Sequence, residues 1–296
     1  MDTSDLAKRM KEYEARNRHY LQKRIPVIIR LDMRSGHTFT KGFERPFDEI
    51  FITAMQETAK YLCANIQGCK LSYQQSDEIS LVLVDYDDIN TDCFFDYRED
   101  KLCSISASMA TMAFNKAFLD AIDIAYNKEF NEHKPYVVPY VVEECNPEAD
   151  EDHFHAMEKK YEKYYAKVGK AMFDARCFNI PKEEVTNCLY WRQLDATRNS
   201  IQMVGQANFS HKELHGKSCN NIQDMLMTQK GINWNAFPTY QKRGSCCIKN
   251  YMVSEPDGCR MYDIKADEHE WIIDSEVPIF KGEGRKYIDR LIYVGE

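Results

Sequence analysis

No Cys-x-x-Cys pair occurs in this sequence, although it holds 11 cysteines. A structural zinc site or a thioredoxin-type redox pair is therefore not expected. The scattered thiols read as reduced and mostly buried; Cys246 and Cys247 are adjacent, and vicinal cysteines rarely bridge. No apolar run approaches the roughly 20 residues that a membrane-spanning helix needs. Met1-Asp2-Thr3-Ser4 does not begin a signal peptide. A cytoplasmic chain with no membrane contact is expected. Internal repeats and low-complexity segments are absent. So is an excess of positive charge: the net charge of −8 argues against indiscriminate nucleic-acid binding. What is there, 44% hydrophobic and 29% charged residues over 296 positions, suits a globular protein with a substantial core in one or two domains.

The distribution of charge says more than its sum. Residues 1–45 carry 11 Lys/Arg against 6 Asp/Glu, and residues 190–250 carry 8 against 3. Two basic regions on an acidic chain can hold a polyanion at defined places; a solvated mixed surface is the plainer reading of the same counts.

Hydrophobic periodicity gives the order of elements. Residues 5–22 read as a charged surface helix. Residues 26–31 are apolar at nearly every position, a strand buried on both faces. A loop with Gly36 and Gly42 follows. Pro46 then opens a long helix with Ile50, Phe51, Met55, Ala59, Leu62 and Ile66 on one stripe, and Gly68 is its C-cap. Residues 69–74 and 79–85 are strands joined by a tight turn. Residues 104–122 form a helix rich in small residues, and 172–178 another strand. Strand, helix, strand, strand, helix, strand is the ferredoxin-like split β-α-β order. Residues 136–142 read as a strand or extended arm, and 148–170 as a charged helix. A helix over 183–209, apolar around its circumference, is expected to be buried, with Trp191 and Trp234 as core residues. Ser210 caps a helix over 211–216, Gly231 ends one over 221–229, and residues 245–252, 260–267 and 270–274 look like β structure. The domain expectation is a catalytic part at 1–180 and a helical and β C-terminal part at 181–296, packed as one compact unit.

Two acidic clusters stand at strand ends: Arg30-Leu31-Asp32 and Ser76-Asp77-Glu78. In the split β-α-β order the strands that carry them are central neighbours, so the clusters meet at one end of the sheet. Carboxylates there suit magnesium, which takes oxygen ligands and shares substrate phosphates. Two ions about 3.5–4 Å apart can activate an attacking oxygen and stabilise a leaving one. Phosphoryl or nucleotidyl transfer is the first hypothesis, against exposed carboxylates that are merely solvated. Asp174 and Arg176, two apart on a strand, read as a structural ion pair. His211 and His215 are spaced for zinc, but the residue after His211 is Lys212 rather than the glutamate of a metalloprotease.

Arg30-Leu31-Asp32-Met33-Arg34, His37, Phe39, Arg45-Pro46, Gln75-Ser76-Asp77-Glu78 and Phe173-Asp174-Ala175-Arg176, in this order and spacing, resemble the tRNA-histidine guanylyltransferase family, including its guanylyltransferase-like branch. The resemblance runs over about 26–249. It implies an α+β fold, a polymerase-type palm with a ferredoxin-like βαββαβ core plus helical and β C-terminal additions. It implies a nucleotidyltransferase that extends RNA 3′-to-5′, with ATP, GTP or other nucleoside triphosphates as substrates, tRNA as partner and a homotetramer as the assembly. By the resemblance, Asp32 and Asp77 bind two Mg2+ ions together with the Met33 carbonyl, and Glu78 supports them. The family has Gly where this chain has Met33. Ser76, His37, Arg45, Arg30, Arg34 and Asp48 are expected at the nucleotide triphosphate, with Lys41 as a helper. Arg98, Lys101 and Ser108 are expected at a second nucleotide. Ser76 also reads as a turn serine, Asp48 as a first-turn helix charge, Arg30 as a snorkelling side chain and Ser108 as a packing residue.

The eukaryotic-type enzymes carry His-Ile-Asn-Asn on the long helix. Here the run is Asp195-Ala196-Thr197-Arg198-Asn199-Ser200, and only Asn199 is retained. That points to template-dependent repair of tRNA 5′ ends, with Arg198, Asn199, Lys212 and Lys217 as RNA contacts. Addition of guanylate at position −1 of tRNA(His) is the alternative. A nucleotide cyclase and a non-catalytic tRNA-binding protein are the remaining readings.

Overall fold

The computed structural model describes residues 2–132, 147–250 and 270–294. Helix α1 (Asp5–Ala15) buries no residue; its stripe of Leu6, Met10 and Tyr13 is exposed, and it ends seven residues short of the sequence expectation. Strand β1 (Val27–Met33) follows, then a single helical turn, α2 (Gly36–Phe39). Helix α3 (Glu49–Asn65) is capped by Asp48 and buries Phe51, Ala54, Met55, Thr58, Ala59, Leu62 and Cys63, the i, i+3/i+4 stripe of a core-facing helix. Its C-cap is Ile66, and Gly68 instead takes a positive φ of 77° at the entry to the next strand. Strands β2 (Cys69–Gln75) and β3 (Glu78–Leu83) form the hairpin.

Helix α4 (Glu99–Glu132) is 34 residues long, much longer than its small-residue centre suggests. Its charged second half is supported from outside by α5 (Pro147–Tyr165): Lys160 and Tyr161 bond Glu129 at 3.0 and 2.9 Å. Strand β4 (Phe173–Asn179) leads into α6 (Lys182–Asn208). Then come α7 (His211–Leu214), α8 (Cys219–Lys230, ended by Gly231), α9 (Thr239–Arg243), β5 (Ser245–Lys249), β6 (Trp271–Asp274) and α10 (Lys286–Ile292). The expected strands at 136–142 and 260–267 lie outside the described residues.

The six strands make one antiparallel sheet in the order β4-β1-β3-β2-β5-β6. Its first four are the split β-α-β arrangement, with β1 and β3 as neighbours. The last two come from the C-terminal part and extend the same sheet. Alternation along each strand separates two cores. Val27, Ile29, Leu31, Met33, Ile79, Leu81 and Leu83 pack against α3 and α4. Ile28, Leu71, Tyr73, Val82 and Val84 face the other way, against Val185 and Leu189 of α6 and Ile288 and Leu291 of α10. Both faces of β1 are thus covered at its start, which explains its unbroken apolar run. Arg30 and Asp32 share the α6 side with Ile28. Among the described residues no helix is long and apolar enough to cross a membrane. The nine described cysteines are free thiols.

Candidate active site

Asp32, the next-to-last residue of β1, lies directly opposite Glu78 on β3 and Asp174 on β4. Directly opposed residues of antiparallel strands share a face, so three carboxylates form a row across the sheet. Asp77 joins them from the two-residue turn between β2 and β3, where Ser76 adopts a left-handed φ of 49°. The turn is tied to β1 by the Met33 N–H, which donates to the Asp77 carbonyl at 3.0 Å. The Asp77 carboxylate passes over the backbone of Gly36: a Cβ at that position would stand 2.0 Å from Oδ2. Burial, followed by the charges of Asp77, Glu78 and Asp174, pushes the Asp32 carboxyl above the usual carboxylate range, with Arg176 opposing. The side chain of Met33 is buried in the core on the other side of the sheet. The residue that replaces the family's glycine therefore intrudes nothing on the acid face.

Glu78 is not a free acid. Its Oε1 accepts from Arg192 Nε at 2.7 Å, with the two side chains only 8% and 10% exposed. Arg192 also bonds Asp195 at 3.0 Å. Burial alone would lower the Arg192 pKa, but Glu78 and Asp195 more than offset it and raise it. The ion pair fastens α6 to the hairpin at the acid row.

A cavity of about 330 Å3 opens beside Asp77. One wall is the segment from Gly36 to Asp48, which contributes His37, Lys41 and Arg45. The hairpin supplies Gln75, Ser76 and Asp77. The third wall is a stripe of α6 (Ala196, Asn199, Ser200, Met203) at i, i+3, i+4 and i+7. Tyr240, Gln241 and Gly244 complete it from far along the chain. Its size is that of a small-molecule or cofactor site, and three basic side chains on one wall suit a polyphosphate. Asp48 lines the cavity while its carboxylate accepts from the Phe51 and Glu44 N–H groups at 2.8 and 2.9 Å and from the Tyr164 hydroxyl at 2.5 Å. It shapes the wall.

Other expected residues stand elsewhere. Arg98 grips Asp100 at 2.7 and 2.9 Å at the start of α4. The acid end of β4 meets that helix at Thr111, whose hydroxyl accepts from the Phe173 N–H. Thirteen residues of helix separate the two points, about 20 Å. Arg98 and Lys101 are therefore at the opposite end of the sheet from the acids, because α4 runs antiparallel to β4. Ser108 is exposed and donates to its own helix at Ser104 O, 2.8 Å. Arg34 sits just past β1, its N–H donating to Met172 O at 2.8 Å. Arg198 is exposed and paired with Asp195, and Lys212 and Lys217 are exposed beyond the end of α6.

Three participants escaped the sequence reading. Gly36 was visible only as a loop glycine. Arg192 lay hidden on a helix read as apolar around its circumference, although its i, i+3 spacing from Asp195 was legible. Asp174 does pair with Arg176, at 3.5 Å and largely exposed, but it also charges the acid row. Trp191 corrects an expectation: it is 54% exposed rather than core, because the stripe of α6 that bears it overhangs the edge of the second core.

Among the described residues, no three or more His, Cys, Asp or Glu side chains converge at metal-ligand spacing. The donor set is an electrostatically coupled pair, Asp32 and Asp77, with Glu78 held aside by Arg192. One or two carboxylates, completed by substrate phosphates and water, is how magnesium is usually bound. The residues fit that ion and not an all-protein cage, and they give no support to zinc at His211 and His215.

A split β-α-β sheet with an acid pair beside a basic, nucleotide-sized cavity defines a palm-type nucleotidyltransferase. The chain belongs to the tRNAHis guanylyltransferase family (Thg1), whose sequence profile matches residues 7–181. It is similar to a bacterial tRNA(His) guanylyltransferase-like protein solved in complex with ATP, at 37% identity and a TM-score of 0.74, covering 98% of this chain and 100% of that one. The bacterial tRNA(His) guanylyltransferase-like protein solved in complex with GTP gives 33% identity and a TM-score of 0.66 at the same coverage. The tRNA(His) guanylyltransferase of Saccharomyces cerevisiae is 24% identical over 233 residues, 74% of this chain and 80% of its own. An uncharacterised protein of Acanthamoeba polyphaga mimivirus is 26% identical over 261 residues, 83% of this chain and 77% of its own.

Proposed function

We propose that this nucleotidyltransferase uses magnesium and nucleoside triphosphates, ATP and GTP among them, to add nucleotides 3′-to-5′ to tRNA 5′ ends in a template-dependent repair reaction. The observation that carries the chemistry is the position of Asp77, whose carboxylate is at once a wall of the basic cavity and a neighbour of Asp32. A triphosphate seated against His37, Lys41 and Arg45 would have its reacting phosphoryl beside that acid pair. The ATP and GTP complexes of the bacterial relatives support triphosphates as the occupants. The run Asp195-Ala196-Thr197-Arg198-Asn199-Ser200 where the eukaryotic-type enzymes carry His-Ile-Asn-Asn supports repair over guanylate addition at −1.

The reaction has two transfers. A 5′-monophosphate oxygen of the RNA attacks the α-phosphoryl of ATP and pyrophosphate leaves. The 3′-hydroxyl of the incoming nucleotide then attacks the activated 5′ phosphoryl and AMP leaves. Two Mg2+ ions, held by Asp32, Asp77 and the Met33 carbonyl, would supply charge stabilisation at the phosphoryl and acidify the attacking hydroxyl. Arg45, Lys41 and His37 orient the phosphates and offset their charge, the main demand of such transfer. Ser76, in its strained turn, offers a hydroxyl at the same wall. Arg192 keeps Glu78 in place within the acid row. A cytosolic homotetramer is the working form in this reading.

Extension of a labelled tRNA lacking its first nucleotide tests it. Wild type should add the nucleotide that pairs with the opposing base, and Asp77→Ala should lose addition by at least about 1,000-fold while keeping its fold. Equal guanylate incorporation against every template base would replace repair by −1 addition. Unchanged turnover in a folded Asp77→Ala would remove the metal assignment.

A further inference from the structure

The acid row has two sides. On one lies the nucleotide cavity. On the other the sheet is open over β4, where Asp174 and Arg176 are largely exposed, and there the residues change from acid to base. Arg30 and Arg176 are directly opposed in register, on the same face as Asp32 and Asp174 and two residues along each strand, about 7 Å away. Arg30 forms no ion pair among the described residues, and its Nε is buried without a hydrogen-bond partner. Above it stands the Trp191 indole, with the Arg30 guanidinium 5.8 Å and the Arg192 guanidinium 4.6 Å from the ring centre. Two cations hold that ring in place, yet it remains 54% exposed. Leu194 and Arg198 continue its stripe along α6, and both are largely exposed.

A half-exposed tryptophan fixed by arginines is a poor use of apolar surface unless something flat covers it. Charge decides what. Arg176, Arg192 and Arg198 are each paired with an acid, so the uncompensated charge is that of Arg30; it favours an anion, and the flat ring favours a π-faced group. A nucleobase attached to phosphates has both. We infer that Trp191 is a stacking platform for a base of the RNA at or next to its reacting 5′ end, with Arg30 and Arg176 receiving the adjoining phosphates. This rests on the RNA reading of the active site above. It gives the acid row a division of labour: the triphosphate enters from the cavity side and the RNA end from the open side. It also explains why Arg30 has no acid partner among the described residues and an Nε with no hydrogen bond.

The test uses the full chain and a fluorescein-labelled tRNA lacking its first nucleotide, titrated by anisotropy without triphosphate. Trp191→Ala should weaken binding about 5- to 100-fold, the range for loss of one stacked base, and Trp191→Phe should retain most of the affinity. Arg30→Ala should weaken binding and lower the salt slope by about one. RNA should also quench the part of the tryptophan emission that disappears in Trp191→Phe. GTP affinity of Trp191→Ala should equal wild type, which separates loss of the platform from collapse of the cavity. Wild-type RNA affinity in Trp191→Ala would overturn the proposal. So would a Trp191→Ala protein that changes oligomeric state in sedimentation with RNA affinity per site unaltered, since a second copy would then cover the ring. A wild-type protein that binds no tRNA would sink the proposed function itself, and the platform with it.

Discussion

Asp32 is held in a position that costs stability. Burial and the neighbouring Asp77, Glu78 and Asp174 raise its pKa, with only Arg176 opposing. The folded protein therefore keeps a proton on Asp32 to higher pH than the unfolded chain does. Stability falls as pH rises from the ordinary carboxylate range, about 3.9, through that raised value, and the penalty is fully present above it. Asp32→Asn should raise Tm at pH 7 and abolish nucleotide addition, and the Tm gain should vanish near pH 4. Thermal scans at the two pH values check it, and an equal Tm difference at both would remove the electrostatic account. Arg192 is the opposite case. It is the partner of a buried acid, so Arg192→Ala leaves Glu78 charged and uncompensated. We expect a loss of about 3–5 kcal/mol in urea unfolding. Arg192→Met with Glu78→Gln should recover most of it, because no unpaired charge remains. Both residues were present in the sequence, but only Glu78 announced itself, since its neighbour Asp77 marks a turn. Arg192 looked like any polar residue on a helix.

At the scale of elements, the short turn α2 does more than connect. Gly36 lets the chain pass close under the hairpin, where Asp77 occupies the space a Cβ would need. Asp77 Oδ2 is the free end of a side chain, so Gly36→Ala should displace the carboxylate and spare the fold. Turnover should fall about 100-fold, the effect of a misplacement near 1 Å, with Tm close to wild type. A Gly36→Ala enzyme with normal turnover would show that the Asp77 position is not critical. Strands and helix cores were legible because burial repeats at 2.0 or 3.6 residues. Element ends were not. α1, whose Leu6, Met10 and Tyr13 are exposed, stopped early with nothing packed against it, and α4 ran on because α5 supports it. The cap of α3 is Asp48, whose second carboxylate oxygen also accepts from Glu44 N–H and Tyr164; a contact 116 residues distant leaves no local trace.

For the molecule as a whole, the sheet does not respect the division at residue 180. β5 and β6, from the C-terminal part, hydrogen-bond onto β2, and α6 and α10 cover the second core. A fragment of residues 1–180 would expose Ile28, Leu71, Tyr73, Val82 and Val84 together with the edge of β2. We expect it to bind 8-anilinonaphthalene-1-sulfonate strongly or to aggregate, whereas the full chain does neither. A monomeric fragment with a cooperative melt would show that the catalytic part folds alone.

The sequence by itself determined the alternation of strands and helices, the pairing of β1 with β3, and hence the meeting of Asp32 with Asp77 and Glu78. Those follow from local periodicity and from a connection order that few topologies satisfy. Only the tertiary structure decided that Glu78 is neutralised by Arg192, that Arg98 and Lys101 lie at the far end of α4, that the cavity is closed by Tyr240 and Gln241, and that Trp191 faces outward. Each of these depends on where separate elements cross in space. A periodic pattern records which face of an element is buried; it does not record what stands against that face.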